Sequence, residues 1–403
     1  MSSQSNPSTH KIENQVVSFE DTKVAFASKS NNDLKKAHML FRLVSNRSMM
    51  VLGKYTSNWA LKIGLPIKGL IKQTIFHQFC GGETIAECAE TTKVLDAYNI
   101  GTILDYSVEG KDSEAEFEAG FDEIFRTIET ADNNPHIPFC VFKVSGLSEN
   151  DLLEKISAKK RLTKRDENAY NRLRRRVDRL CARAAKANTP IFFDAEESWI
   201  QHAIDDLAME MMEKYNRGRG IVFNTLQMYR HDRMAHLQEN HQKAKAEGFE
   251  YCVKLVRGAY MEKERDRAEE KGYPSPIQPN KSATDRDFNA AVQYCLDSLS
   301  SVYFCAGTHN EESSLMLAQE MDKRNISRGN DRIFFAQLFG MSDHISFNLS
   351  KENYNVAKYV PYGPVEEVMP YLIRRAEENT SVAGQTSREL NLINKEIKRR
   401  KIS

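Results

Sequence analysis

The sequence predicts an α/β chain folded as a (βα)8 TIM barrel with an N-terminal helical region. Three observations carry this expectation. Eight short runs rich in Val, Ile and Phe recur between Ile100 and Val360. Most lack the polar alternation of a sheet with one wet face, so they read as strands buried on both sides. Segments long enough for a helix separate them, and strand alternating with helix over about 280 residues is the pattern of a parallel barrel. A doubly wound sheet has the same texture, but its dinucleotide fingerprint is missing: Gly218 and Gly220 precede a strand instead of following one.

Taken in order, residues 1 to about 30 are polar and aperiodic and read as disordered or loosely attached. From Asn32 to Thr92 the apolar residues recur at helical spacing (Leu34, Ala37, Phe41, Val44), with breaks near Gly64–Pro66 and Gly81–Gly82. His77 and Cys80 fall three apart there, without further ligands to make a metal site. The strands are read as Ile100–Tyr106, Phe139–Val144, Ile191–Asp194, Ile221–Gln227, Tyr251–Val256, Val302–Ala306, Ile333–Leu338 and Val356–Val360. The expected division is an N-terminal arm over 1–95, the barrel over 96–380 and a basic tail over 381–403.

At 403 residues the chain can bury one large core and a smaller appendage. Its net charge of +1 argues against bulk attraction to nucleic acid. Seven scattered cysteines with no CxxC suggest reduced thiols, neither a disulfide scaffold nor a zinc site. No run of 18 apolar residues exists to span a membrane, and no targeting leader is visible in the first twenty residues. Lys155 to Lys186 carries thirteen Lys and Arg against three acids. Such a helix is usually a solvated outer face; contact with anionic lipid or another protein is the alternative.

Polar residues gather at the carboxyl ends of the strands, where a barrel places its chemistry. They are Asp105 leading to Glu109, Lys143, Asp194, Asn224 with Gln227, Lys254 with Arg257, Gly258 and Tyr260, Thr308 to Asn310, Gln337, and Tyr359. Each has a bland explanation as a helix cap or satisfied amide. Their recurrence at one end implies a cavity of cations and amides, suited to an anionic cofactor and a carboxylate substrate. After the eighth strand and a Pro/Gly turn comes a helix with an apolar face of Val365, Val368, Met369, Leu372 and Ala376. Tyr371, Arg374, Arg375 and Glu378 share another face, and Pro370 should kink the helix unless it starts there. A solvated face is the bland reading; a bidentate carboxylate clamp is the sharper one.

The segments KLVRGAYMEKERDRA, AGTHN, FAQLFGM, KYVPYGPV and YLIRRAEEN, in this order, resemble the proline dehydrogenase (proline oxidase) family. The resemblance covers roughly residues 96 to 380 and implies a distorted (βα)8 barrel holding FAD. It implies oxidation of L-proline to Δ1-pyrroline-5-carboxylate by hydride transfer to flavin N5. Arg374 and Arg375 would bind the proline carboxylate with Lys143, Tyr359 and Tyr371 would wall the ring, and Leu255 would pack near it. Glu109 is matched to a glutamate that pairs with the first arginine to gate the site. Asp194 matches an active-site aspartate, and Lys254 a cation beside the flavin's reactive nitrogen, where bifunctional bacterial relatives carry arginine. Ala195, Gln227, Arg257, Gly258, Ala259, Lys281, Thr284, Thr308 and His309 match cofactor contacts. Met261 departs from the bulkier aromatic of those relatives.

The resemblance further implies a quinone-type electron acceptor and functional coupling to a pyrroline-5-carboxylate dehydrogenase; peripheral membrane contact through the basic helix 155–186 or the C-terminal tail stays open. The chain itself is expected to lack the aldehyde dehydrogenase half of bifunctional relatives. A cytoplasmic location is expected, membrane-associated or not, with a mitochondrial one the alternative in a eukaryote. Two rival classes draw on some of the same residues. A Schiff-base aldolase would use Lys143 or Lys254 as nucleophile. A non-catalytic anionic-surface binder would rest on the basic helix, and would not need a polar barrel mouth.

Overall fold

In the computed structural model, residues 16–44, 68–108, 110–381 and 385–402 are described. The break expected at Gly64–Pro66, and Glu109, lie outside them. Eight parallel strands form one sheet: β1 (Ile100–Tyr106), β2 (Cys140–Phe142), β3 (Ile191–Phe193), β4 (Val222–Gln227), β5 (Tyr251–Val256), β6 (Val302–Gly307), β7 (Ile333–Leu338) and β8 (Val356–Tyr362). Their order is β1-β8-β7-β6-β5-β4-β3-β2, with β1 paired to β8 along its whole length. The Thr102 N–H donates to the His136 carbonyl at 2.8 Å, drawing β1 against the entry to β2 and nearly closing the barrel.

Cluster membership along each strand alternates, as a period of two requires. Leu104, Phe142, Phe193, Leu226, Val253, Phe304, Phe335 and Val360 belong to the large core between strands and outer helices. Ile103, Val141, Phe192, Phe223, Cys252, Cys305, Ala336 and Tyr359 fill the inside. Continuing that alternation to the strand tips aims Asp105, Lys143, Asp194, Gln227 and Lys254 inward as well. The barrel therefore has an apolar floor and a polar mouth.

The termini are built in more firmly than their composition suggests. Val17 and Phe19, within the stretch expected to be loose, are buried in the main core. The expected basic tail is, over Gln385–Arg400, a helix whose Leu392 and Ile393 are buried. These join Leu34, Ala37 and Phe41 of the helix Asn31–Val44 in a second cluster with Phe76, Phe79, Val365, Val368, Met369, Tyr371 and Leu372. That cluster lies under the helix Met369–Ser381, which carries the paired arginines. Because this helix begins at Met369, Pro370 sits in its first turn, where no intrahelical N–H is needed and no kink arises.

The basic helix Lys164–Ala187 is largely neutralised by its neighbours. Arg172 and Arg176 pair with Glu114, Arg174 with Glu210 at 2.5 Å, and Arg183 with Asp132 at 2.7 Å. The helix thus presents an ion-paired outer face. Among the described residues, no helix is long and apolar enough to cross a membrane.

Candidate active site

At the mouth, Lys254 of β5 reaches across to β3 and β8. Its Nζ donates to Asp194 Oδ1 and to the Tyr359 hydroxyl, which lies 3.4 Å from the same carboxylate oxygen. The ammonium also sits 4.4 Å from the Tyr359 ring centre and 5.0 Å from that of Phe192. Lys254 and Tyr359 are buried, so each polar tip needs the other, and the trio ties three strands together. Burial first, then the Asp194 charge, push the Tyr359 phenol well above its ordinary range, keeping it neutral.

The arginine helix follows β8, the strand that carries Tyr359. Tyr371 and Arg375 are buried, and the Arg375 guanidinium lies 5.1 Å from the Tyr371 ring centre. The Arg375 charge acts on His309, after β6, while that of Arg374 acts on Tyr260, after β5. Lys143, after β2, acts on the same Tyr260 phenol, which desolvation raises above its usual range. Lys143 and Arg374 thus lie near Tyr260 and Arg375 near His309, and these are the three cations that the resemblance assigns to the carboxylate.

The expected cofactor contacts gather after β5 and β6. The Arg257 guanidinium is pinned by Asp285 at 2.7 Å, Thr308 Oγ1 at 2.6 Å and Ser313 Oγ at 3.0 Å. Lys281 donates to the other oxygen of Asp285 at 2.5 Å, placing both cations at the start of the helix Lys281–Asp297 beside the buried Thr284. Gly258 has φ +136°, and an added Cβ would meet the Tyr229 ring at 2.6 Å, so only glycine fits this turn. The Ala259 N–H donates to Gln227 Oε1 at 3.1 Å, and Gln227 Nε2 donates to the Glu196 carbonyl at 2.7 Å, next to Ala195. His309 Nδ1 is 2.9 Å from Ser342 Oγ. Desolvation, with the charges of Lys358 and Arg375, lowers its imidazole to about 3, so it is neutral near pH 7.

Three expected positions do not belong to the mouth. Leu255 follows the inward Lys254 and therefore points outward into the helix-facing core, not toward a substrate ring. Asn224 likewise turns out to Asp205, 2.9 Å away. Gln337 bonds the Thr308 carbonyl and Ser346, on the helix side of β7. The inward apolar residue at the mouth is Leu338, packed against the floor cluster with Tyr359 and also against the cluster under the arginine helix. Counting by twos from Ala336 would have found it. Met261 is exposed.

Several supporting residues had no sequence signal. Glu389 of the C-terminal helix accepts from the Ser342 N–H at 2.5 Å, and Ser342 in turn holds His309. Lys358, fully buried on β8, donates to the Met341 carbonyl at 2.5 Å and to Asp343 at 2.8 Å, fixing the loop after β7. Gly340 in that loop has φ +75°, and a Cβ there would fall 1.9 Å from the Gln78 carbonyl.

A family model described as "Proline dehydrogenase" matches residues 88–388. The chain belongs to the proline dehydrogenase family. It is 33% identical to proline dehydrogenase 1, mitochondrial, of Dictyostelium discoideum, over 94% of this chain and 74% of that protein. It is 36% identical to the carbapenem antibiotics biosynthesis protein CarD of Pectobacterium carotovorum, over 80% of this chain and 83% of that one. Among solved structures it resembles proline utilization A from Bdellovibrio bacteriovorus, with a TM-score of 0.69 at 21% identity. The alignment covers 89% of this chain but 38% of that longer protein, and the likeness is one of fold. Family membership makes this an enzyme of the proline dehydrogenase type, acting in proline oxidation.

Proposed function

We propose that this chain oxidises L-proline to Δ1-pyrroline-5-carboxylate with FAD as its cofactor, and passes the electrons to a quinone-type acceptor. The observation that supports this reading is the buried Lys254–Asp194–Tyr359 trio at the inward strand tips, with Lys143 and Arg374 near Tyr260 and Arg375 near His309. The donor set suits the cofactor: Arg257, Lys281 and Thr284 stand at one helix start for an anionic diphosphate, with Gln227, Thr308 and His309 beside them. When bound, FAD accepts the hydride that leaves proline C5.

The protein's own groups do the rest. Two guanidiniums and one ammonium fix the substrate carboxylate in a partly desolvated mouth. Tyr359 and Tyr371 wall the ring, and the apolar floor beneath excludes water. Lys254 holds a positive charge where negative charge develops during reduction. Asp194, engaged by both Lys254 and Tyr359, orients that pair. The substrate ammonium gives one proton to solvent before hydride departure, and the nitrogen lone pair of the resulting neutral amine then forms the protonated C=N bond as the C5–H bond breaks.

The names of several relatives place them in mitochondria, which supports a mitochondrial setting here as well. The test is the visible spectrum of protein loaded with FAD. Anaerobic proline should bleach the flavin band without added nicotinamide nucleotide. Protein that cannot be loaded with FAD, or that borohydride inactivates only with substrate present, would favour a Schiff-base lysine instead.

A further inference from the structure

Glu196 lies between β3 and the helix Ser198–Tyr215, is almost wholly buried, and joins four elements of the mouth. Its carboxylate accepts from the Ser145 N–H at 3.0 Å and from the Ser145 hydroxyl, gripping the turn that follows Lys143. Its own N–H donates to Gln201 at 2.8 Å, and its carbonyl accepts from Gln227, which holds the Ala259 N–H. Next to it in sequence, Glu197 is instead paired with Lys263. The other charged or titratable groups around it are Lys143, Tyr260 and, beyond Tyr260, Arg374; Glu264 is engaged by Ser198.

We propose that Glu196 is a positioning residue for Lys143, and that its ionisation sets the pH dependence of carboxylate binding at the mouth. The inference rests on the proline reading, since Lys143 matters here as a carboxylate cation. A serine hydroxyl can donate to a carboxylate or accept from a carboxylic acid, so the turn survives either protonation state. What changes is the charge beside Lys143. Burial raises the Glu196 carboxyl to about 7, against the bonds from Ser145 and the charge of Lys143, which lower it. Below that point Glu196 is neutral and adds no charge; above it, a negative charge bound to the turn after Lys143 repels the incoming carboxylate.

The probe is tetrahydrofuran-2-carboxylate, whose ring oxygen replaces the proline amine, so the ligand itself does not titrate in this window. Its affinity for FAD-loaded protein is measured by calorimetry across pH 5.5 to 8.5. Wild type should bind about three- to tenfold more weakly above the inflection than below it, the effect of one nearby charge in a partly desolvated site. Glu196→Gln keeps both bonds to Ser145 without a charge. It should hold the tight, low-pH affinity throughout, whereas Glu196→Ala should bind weakly at every pH because the turn is lost. Ser145→Ala, which removes a bond favouring the ionised form, should move the inflection to higher pH and serves if the Glu196 variants fail to fold. A flat wild-type profile, or an inflection unchanged in Glu196→Gln or Ser145→Ala, overturns the proposal. A protein that takes up FAD but binds no analogue at any pH overturns the proline reading, and this inference with it.

Discussion

The floor and the mouth of the barrel are made by the same strands, a few residues apart, and they obey different rules. On the floor, Phe139, Phe192 and Phe223 pack ring to ring at 4.5 to 5.6 Å, with Tyr303 and Phe334 beyond them. One step further along the inward face, β3 presents Asp194 and β5 presents Lys254. The floor gains stability from close packing and tolerates no cavity. The mouth keeps charges out of water, which is costly unless each is paired, and the Lys254–Asp194–Tyr359 trio supplies that pairing. Stability and chemistry are therefore separated by height in the barrel, not by segment of the chain.

That separation can be broken from either side. The largest effect is expected on the floor: Phe223→Ala should cost about 3–5 kcal/mol of stability by opening a cavity among the rings. A chemical denaturation curve measures the loss, while kcat per bound flavin should change little. At the mouth, if Arg375 binds the substrate carboxylate as proposed, Arg375→Met should lower kcat/KM for proline by about 2–5 kcal/mol through loss of a charge-assisted partner. Arg375→Lys should restore only part of this, since an ammonium cannot form the planar fork. Arg375 is more buried than a solvated face would allow, so a thermal melt must accompany the kinetics. The smallest effect belongs to neither storey. Arg174→Ala, which removes an exposed ion pair with Glu210, should cost about 0.2–1 kcal/mol and leave proline kinetics unchanged.

Much of the barrel was legible in the sequence because uninterrupted apolar runs admit few other structures. β1, β5 and β7 begin and end where the pattern predicts, and β2 is shorter only at its ends. Side was harder to read than position. Asn224 and Gln337 stand near strand tips, but alternation turns them away from the cavity, and a strand-end argument alone ignores that alternation; Leu255, expected from the resemblance, faces the same outer core. The terminal segments misled for another reason. The polarity of residues 385–402 hides a narrow apolar stripe, Leu392 and Ile393, whose partner helix lies more than 340 residues earlier. Nothing local announces such a pairing. Glu196 and Glu197 are adjacent and chemically identical, yet one is buried under the mouth and the other faces Lys263. Only the packed structure separates their roles.

Cys252 and Lys254 are two residues apart on β5, face the same interior, and belong one to the floor and the other to the mouth. The most direct measurement is therefore the single-turnover rate of flavin reduction by proline in Lys254→Met and Cys252→Ala, each loaded with FAD and compared at saturating proline. Lys254→Met should show slow reduction and a lowered flavin potential. Cys252→Ala should show a reduced Tm with a wild-type rate per bound flavin. A wild-type rate in Lys254→Met, or an equal loss of rate in both, would contradict the assignment of the chemistry to the mouth.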